Sequence, residues 1–118
     1  MKHAIIYHNP RCSKSRQTRT LLEENGFEIE EVRYLDTPPT VETLDTLCDL
    51  LGVAPTEIVR TGEAEFNALG LSLKDNATNR QAWLEILHQH PKLIQRPIVR
   101  IGDKAVIGRP PENVLSLF

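Results

Sequence analysis

Cysteine is nearly absent from this chain, and the things it lacks set the first limits. Only Cys12 and Cys48 occur among 118 residues, too few for a disulfide framework. No Cys/His cluster has zinc-site spacing, so no metal is expected. No apolar run approaches the roughly 20 residues of a membrane span. The stretch Met1–Tyr7 is too short an apolar run, too soon followed by polar residues, to read as a signal peptide. Basic charge is not in excess: 14 Lys and Arg against 16 Asp and Glu give a net charge of −2, whereas a nucleic-acid binder normally carries a basic face. Repeats, low-complexity stretches and flexible linkers are also missing. The expectation is a soluble protein of a reducing, cytoplasmic compartment, with neither nucleic acid nor membrane as partner.

What remains is enough for one domain, residues 1–118. Ala4–Tyr7 reads as a buried strand ending at the Asn9-Pro10 turn. Ser13 to about Asn25 is predicted helical, with Thr18, Leu21, Leu22 and Asn25 on one face and Gly26 as its stop. Glu28–Leu35 has strand character, Val32 and Tyr34 alternating with charge. This βαβ unit should have a right-handed crossover and parallel strands.

After Pro38-Pro39, Thr40 caps a predicted helix to Leu51 whose apolar stripe is Val41, Leu44, Leu47, Cys48 and Leu51. Pro55 opens a short helix and Ala64–Leu69 another; a polar loop runs through Asp75-Asn76. Thr78–Gln81 resembles a capping box for a helix carrying Ala82, Trp83, Ile86 and Leu87, with Trp83 its core anchor. Ile98–Ile101 and Ala105–Ile107 form a hairpin, and Glu112 to about Leu117 a last helix. The order βαβ, then ββα, with a helical insertion at about 40–90, is that of an α/β thioredoxin-like domain with a small mixed four-stranded sheet.

Cys12 falls at the first strand-to-helix turn. Lys14, Arg16 and Arg19 follow in the first two turns, and the acids Glu23 and Glu24 come only at the far end. A helix built for stability alone prefers acids at its positive N-terminal pole. Cations crowded there, with Arg11 beside them, make sense if an anion is held by the free N–H groups. The same field favours the thiolate. A free cysteine is otherwise a small buried hydrophobe, and Cys48, on the apolar stripe, reads that way. With Ser15 where a Cys-x-x-Cys pair would place its second thiol, any covalent intermediate needs an outside thiol or another cysteine.

Arg96 and Arg109 each precede a proline and flank the hairpin, which restricts where they point. Each is either a solvated surface arginine or part of an oxyanion site, for which paired guanidinium donors suit better than lysine. Arg60 taken alone is a surface arginine. His8 either caps the turn or tunes the thiol. Ser13 and Ser15 either cap the helix or donate a hydroxyl to the sulfur.

Together the motifs Tyr7-His8-Asn9-Pro10-Arg11-Cys12-Ser13-Lys14-Ser15-Arg16, Tyr34–Pro39, Arg60-Thr61, Pro91–Val99 and Ile107–Pro111 resemble the glutaredoxin-coupled arsenate reductase family nearly end to end. The resemblance implies a thioredoxin-like fold with a helical insertion and a nucleophilic cysteine at Cys12. It implies an oxyanion held by Arg60, Arg96 and Arg109, and a thiol tuned by His8 and Ser15. It also implies arsenate as substrate, glutathione as co-substrate, glutaredoxin as partner and no bound cofactor. Well-established members read Cys-Gly-Thr-Ser where this chain reads Cys12-Ser13-Lys14-Ser15, which looks like a separate branch. Two alternatives stand beside arsenate reduction. One is a related thiol reductase for another oxyanion or a mixed disulfide; the other is a redox-sensing, RNA polymerase-binding regulator.

Overall fold

In the computed structural model, which describes residues 2–70 and 80–117, the chain divides into two compact units. One draws on Met1–Thr37 and Arg96–Phe118, the other on Pro38–Gln95.

The first unit holds one sheet. Strand β1 (Lys2–Tyr7) leads through helix α1 (Ser13–Glu24) to β2 (Phe27–Val32); β3 (Ile98–Ile101) and β4 (Lys104–Ile107) form the hairpin. The strand order is β2-β1-β3-β4. β1 runs parallel to β2, Ala4 opposite Ile29, and antiparallel to β3, Ile6 opposite Val99. This is the mixed four-stranded α/β sheet of the thioredoxin-like fold. Side chains alternate across a strand, so Ala4 and Ile6 share one face, where they pack with Leu22, Val99 and Val114 into a buried core. Fully burying each large side chain is worth about 1.5–3 kcal/mol, so this cluster fixes α1, and hence its first residue, on the sheet.

The structure corrects several boundaries. β2 spans Phe27–Val32 rather than 28–35. Tyr34 is buried outside the strand, because the Arg33 carbonyl accepts from the N–H groups of Asp36 and Thr37 and closes a turn. On α1 the buried residues are Ser15, Thr18 and Leu22. Asn25 is exposed, its amide donating to the Leu21 carbonyl at 2.7 Å. The last segment, Pro111–Leu117, is a 3-10 helix. Two prolines at 110 and 111 remove N–H donors at its start, and the Asn113 N–H reaches the Pro110 carbonyl in the tighter pattern.

The second unit is helical. α2 (Val41–Leu51) is capped by Thr40, whose Oγ1 accepts from the Thr43 N–H at 3.1 Å, and stops at Gly52, φ 71°. A 3-10 turn at Pro55–Ile58, α3 (Ala64–Ala68), α4 (Arg80–Gln89) and a second 3-10 turn at Pro91–Leu93 follow. Its buried residues include Leu44, Leu47, Cys48, Ile58, Trp83, Leu84, Leu87 and Leu93, with Cys48, Trp83 and Leu87 among those wholly buried. On α4 Leu84 takes the buried place expected of Ile86, which is half-exposed. Arg80 joins α4 to α2, its Nε 2.6 Å from Asp45 and its Nη2 2.9 Å from Asp49. The expected loop at Asp75-Asn76 and the capping residues Thr78 and Asn79 lie outside the described residues. Among the described residues, no helix is long and apolar enough to cross a membrane.

Candidate active site

The site grows from the turn between β1 and α1. The Cys12 N–H donates to the Asn9 carbonyl at 2.9 Å, and the Asn9 side chain accepts from the Arg11 N–H at 3.0 Å. These bonds close the turn that Pro10 begins. Cys12 then caps α1 in extended conformation, with no side-chain cap of its own. An apolar sulfur at an N-cap leaves the first N–H groups facing it, a poor choice for helix stability and a good one for holding a thiolate.

Those N–H groups act on the thiol. Burial pushes it up, but the backbone N–H groups of Ser15 and Lys14 and the Arg96 guanidinium, which also hydrogen-bonds it, outweigh burial and hold Cys12 below its ordinary value of 9.0. Arg109 joins from the other end of the hairpin: its Nη1 lies 4.0 Å from the Cys12 sulfur and 3.4 Å from the Arg96 carbonyl. Cys12 is half-buried and therefore reachable. Cys48 is its opposite, sealed in the core of the helical unit, where burial pushes the thiol up to about 11.

Several contacts hold Arg109 in place. The preceding Gly108 donates its N–H to the Pro97 carbonyl at 2.9 Å. Asn113 places its side-chain amide 3.1 Å from the Arg109 carbonyl and 3.2 Å from that of Ile107. The Arg96–Pro97 and Arg109–Pro110 peptides are both cis. Asn113 and Gly108 carry no sequence signal as site residues, apart from a glycine in a hairpin flank, which often marks a close backbone approach.

The structure thus gathers Cys12, Ser15, Arg96 and Arg109 within the sheet unit. Ser15 is wholly buried, and its Oγ accepts from the Asn9 N–H at 3.2 Å. His8, one residue past β1, is buried with its N–H on the Val32 carbonyl at 2.8 Å. Burial lowers its pKa; Glu31 opposes this, while Arg19, Arg33 and Arg16 assist it. Among the described residues its Nδ1 has no hydrogen-bond partner. Glu31 is itself held low, chiefly by its bond to Arg33, and pairs with Arg19 and Arg33 at 2.9 and 2.8 Å. Arg60 belongs to the helical unit, its N–H on the Leu93 carbonyl at 2.7 Å and its guanidinium on Glu63. Among the described residues no group of His, Cys, Asp and Glu is arranged to hold a metal ion.

The sequence pattern of the ArsC family matches residues 7–117, from the strand before the cysteine to the end of the last segment. The chain belongs to the ArsC family. ArsC relatives span it fully. The Uncharacterized protein YfgD of Escherichia coli K12 is 46% identical over 117 residues, 98% of this chain and 97% of that one. An Arsenate reductase of Neisseria meningitidis serogroup A is 44% identical over 120 residues, with all of both chains covered. Among solved ArsC-like structures, an arsenate reductase from Vibrio cholerae superposes with a TM-score of 0.91 at 41% identity, covering 99% of this chain and 98% of its own.

Proposed function

We propose that this protein reduces arsenate to arsenite, using glutathione and glutaredoxin, through a covalent intermediate on Cys12. The observation that carries the reading is the convergence on one half-buried sulfur of two backbone N–H groups and two guanidinium groups, Arg96 and Arg109. That arrangement stabilises a thiolate, and its donors suit the oxygens of a tetrahedral anion. Arg60 enters as the third oxyanion ligand, and His8 and Ser15 as thiol-tuning residues, on the family resemblance.

Arsenate docks with its oxygens on the arginines, and the Cys12 thiolate attacks arsenic; a sulfur–arsenic bond forms and one oxygen leaves as water. A glutathione thiolate then attacks the Cys12 sulfur. The sulfur–arsenic bond breaks with its electron pair on arsenic, which falls from As(V) to As(III) and departs as arsenite. The two thiolates are thereby oxidised to a Cys12–glutathione disulfide. A glutaredoxin thiolate takes the glutathione onto its own sulfur and returns Cys12 as thiolate. Charge building on the arsenate oxygens is where the arginines contribute, a missing donor of this kind typically costing about 100-fold in rate. Glutathione is thus a co-substrate, and the reaction needs no bound cofactor. A reducing cytoplasm supplies both thiols.

The second reading keeps the chemistry and changes the substrate. Ser13 and Lys14 stand where well-established members carry Gly-Thr, a departure that supports reading the chain as a separate branch. A side chain at 13 narrows the approach to the helix N-terminus, and Lys14 adds charge to its rim. These features favour a thiol reductase for another oxyanion as the alternative. Turnover of arsenate with glutathione and glutaredoxin separates the two. The expected result is arsenite formation that Cys12→Ser abolishes; a protein inert toward arsenate yet still binding tetrahedral anions at Cys12 favours the second. Wild-type turnover in Cys12→Ser removes Cys12 from the mechanism.

A further inference from the structure

Gly108 sits where no side chain fits. A Cβ there would stand 2.6 Å from Thr18 Oγ1, 3.0 Å from Thr18 Cγ2 and 3.0 Å from Pro97 Cγ. Thr18 is wholly buried on α1, and its Oγ1 is committed to the Lys14 carbonyl at 2.8 Å, with the Gly108 carbonyl at 3.4 Å. A β-branched side chain on a helix is stiff at χ1, so Thr18 cannot swing aside without giving up that bond. The strand end carrying Gly108 therefore lies flush against the same helix whose first residue follows Cys12. The residue after Gly108 is Arg109.

We propose that the Thr18–Gly108 contact is a positioning device that sets the depth at which Arg109 meets the Cys12 sulfur. Neither residue touches the reacting atoms. Their effect runs through the backbone: α1 fixes Thr18, Thr18 fixes Gly108, and Gly108 delivers the guanidinium of the next residue. The inference rests on reading Cys12 as the nucleophile. It is independent of which oxyanion is the substrate.

The test is a size-swap series on the full chain: Gly108→Ala, Thr18→Ala and the double variant. The readouts are the rate of Cys12 alkylation by iodoacetamide across pH and its protection by arsenate or sulfate. Gly108→Ala should move the alkylation profile to higher pH and weaken anion protection about three- to tenfold, the worth of one partly exposed charge-assisted hydrogen bond. Thr18→Ala removes the two Thr18 atoms, the nearest among them, and leaves only Pro97 Cγ at 3.0 Å, so the double variant should recover most of the loss. In an Arg109→Ala background Gly108→Ala should add little, because both changes act through the same guanidinium. A Gly108→Ala protein with unaltered profile and protection overturns the proposal, as does a double variant no better than the single one, or full additivity with Arg109→Ala. The alkylation profile needs no substrate, so inactivity of the wild type toward arsenate counts against the proposed function and leaves this result readable.

Discussion

Arg109 brings its Nη1 to 4.0 Å from the sulfur of Cys12 across 97 positions of sequence. Its place depends on the β1–β3 and β3–β4 pairings, on Gly108 packed against α1, and on Asn113 gripping its carbonyl. The thiol is activated locally by the helix and remotely by the hairpin.

The two cysteines should differ sharply. Cys12 alkylation should follow a titration with its midpoint below 9.0, while Cys48, pushed up to about 11 by burial, should stay unmodified until the protein unfolds. Mass spectrometry after graded alkylation reads both at once. Equal labelling of the two residues in the native protein would refute the assignment.

Arg96→Ala should cost about 100-fold in turnover and raise the pH midpoint of Cys12 alkylation, with an unchanged melting temperature. Arg96→Lys should restore the charge but not the paired donors, and so recover only part of the loss. Steady-state kinetics beside thermal melts separates site damage from misfolding.

Asn113→Ala removes both bonds to the Ile107 and Arg109 carbonyls, each worth roughly 1 kcal/mol. Oxyanion protection of Cys12 should fall, by less than in Arg109→Ala, and Asn113→Gln should not rescue it. The comparison is made by alkylation in the presence of graded sulfate.

How much of this was legible from residue order depends on where each cause lies. The Cys12 turn was readable because its causes are local: Asn9 and Pro10 make the turn after β1, and cations gather at the start of α1. The Arg-Pro pairs at 96 and 109 were recognisable as a set, though only the antiparallel pairing of β3 with β1 and β4 brings them together. Tyr34 deceived, because its alternation with Val32 imitates a strand, and the turn that ends the strand is made by the Arg33 carbonyl. Gly108 was illegible. Its backbone has no left-handed torsion to demand glycine; the demand comes from Thr18, 90 positions away.

His8 should make stability depend on pH. Its folded pKa lies below the ordinary 6.5, so the unfolded chain binds the proton first and acid favours unfolding. The stability contribution is full above 6.5 and is lost as pH falls toward the folded value. Glu31, held below 4.5, adds a second loss at lower pH. Denaturant midpoints from pH 7.5 to 5 should fall in the wild type and stay flatter in His8→Gln.

In the helical unit, Leu87→Ala should cost 2–5 kcal/mol, roughly, since Leu87 is wholly buried. Arg80→Ala should cost about 1 kcal/mol or less, because its ion pairs with Asp45 and Asp49 are substantially exposed. Urea titration of both variants checks that packing outweighs charge there.

The central strand of the sheet, β1, is hydrogen-bonded on one side to β2 and on the other to β3. A chain emerging from the ribosome therefore completes its first strand, helix and second strand long before residues 96 and 109 exist. Two of the groups that hold the sulfur of residue 12 as thiolate, Arg96 and Arg109, thus lie in the last part of the chain to be made.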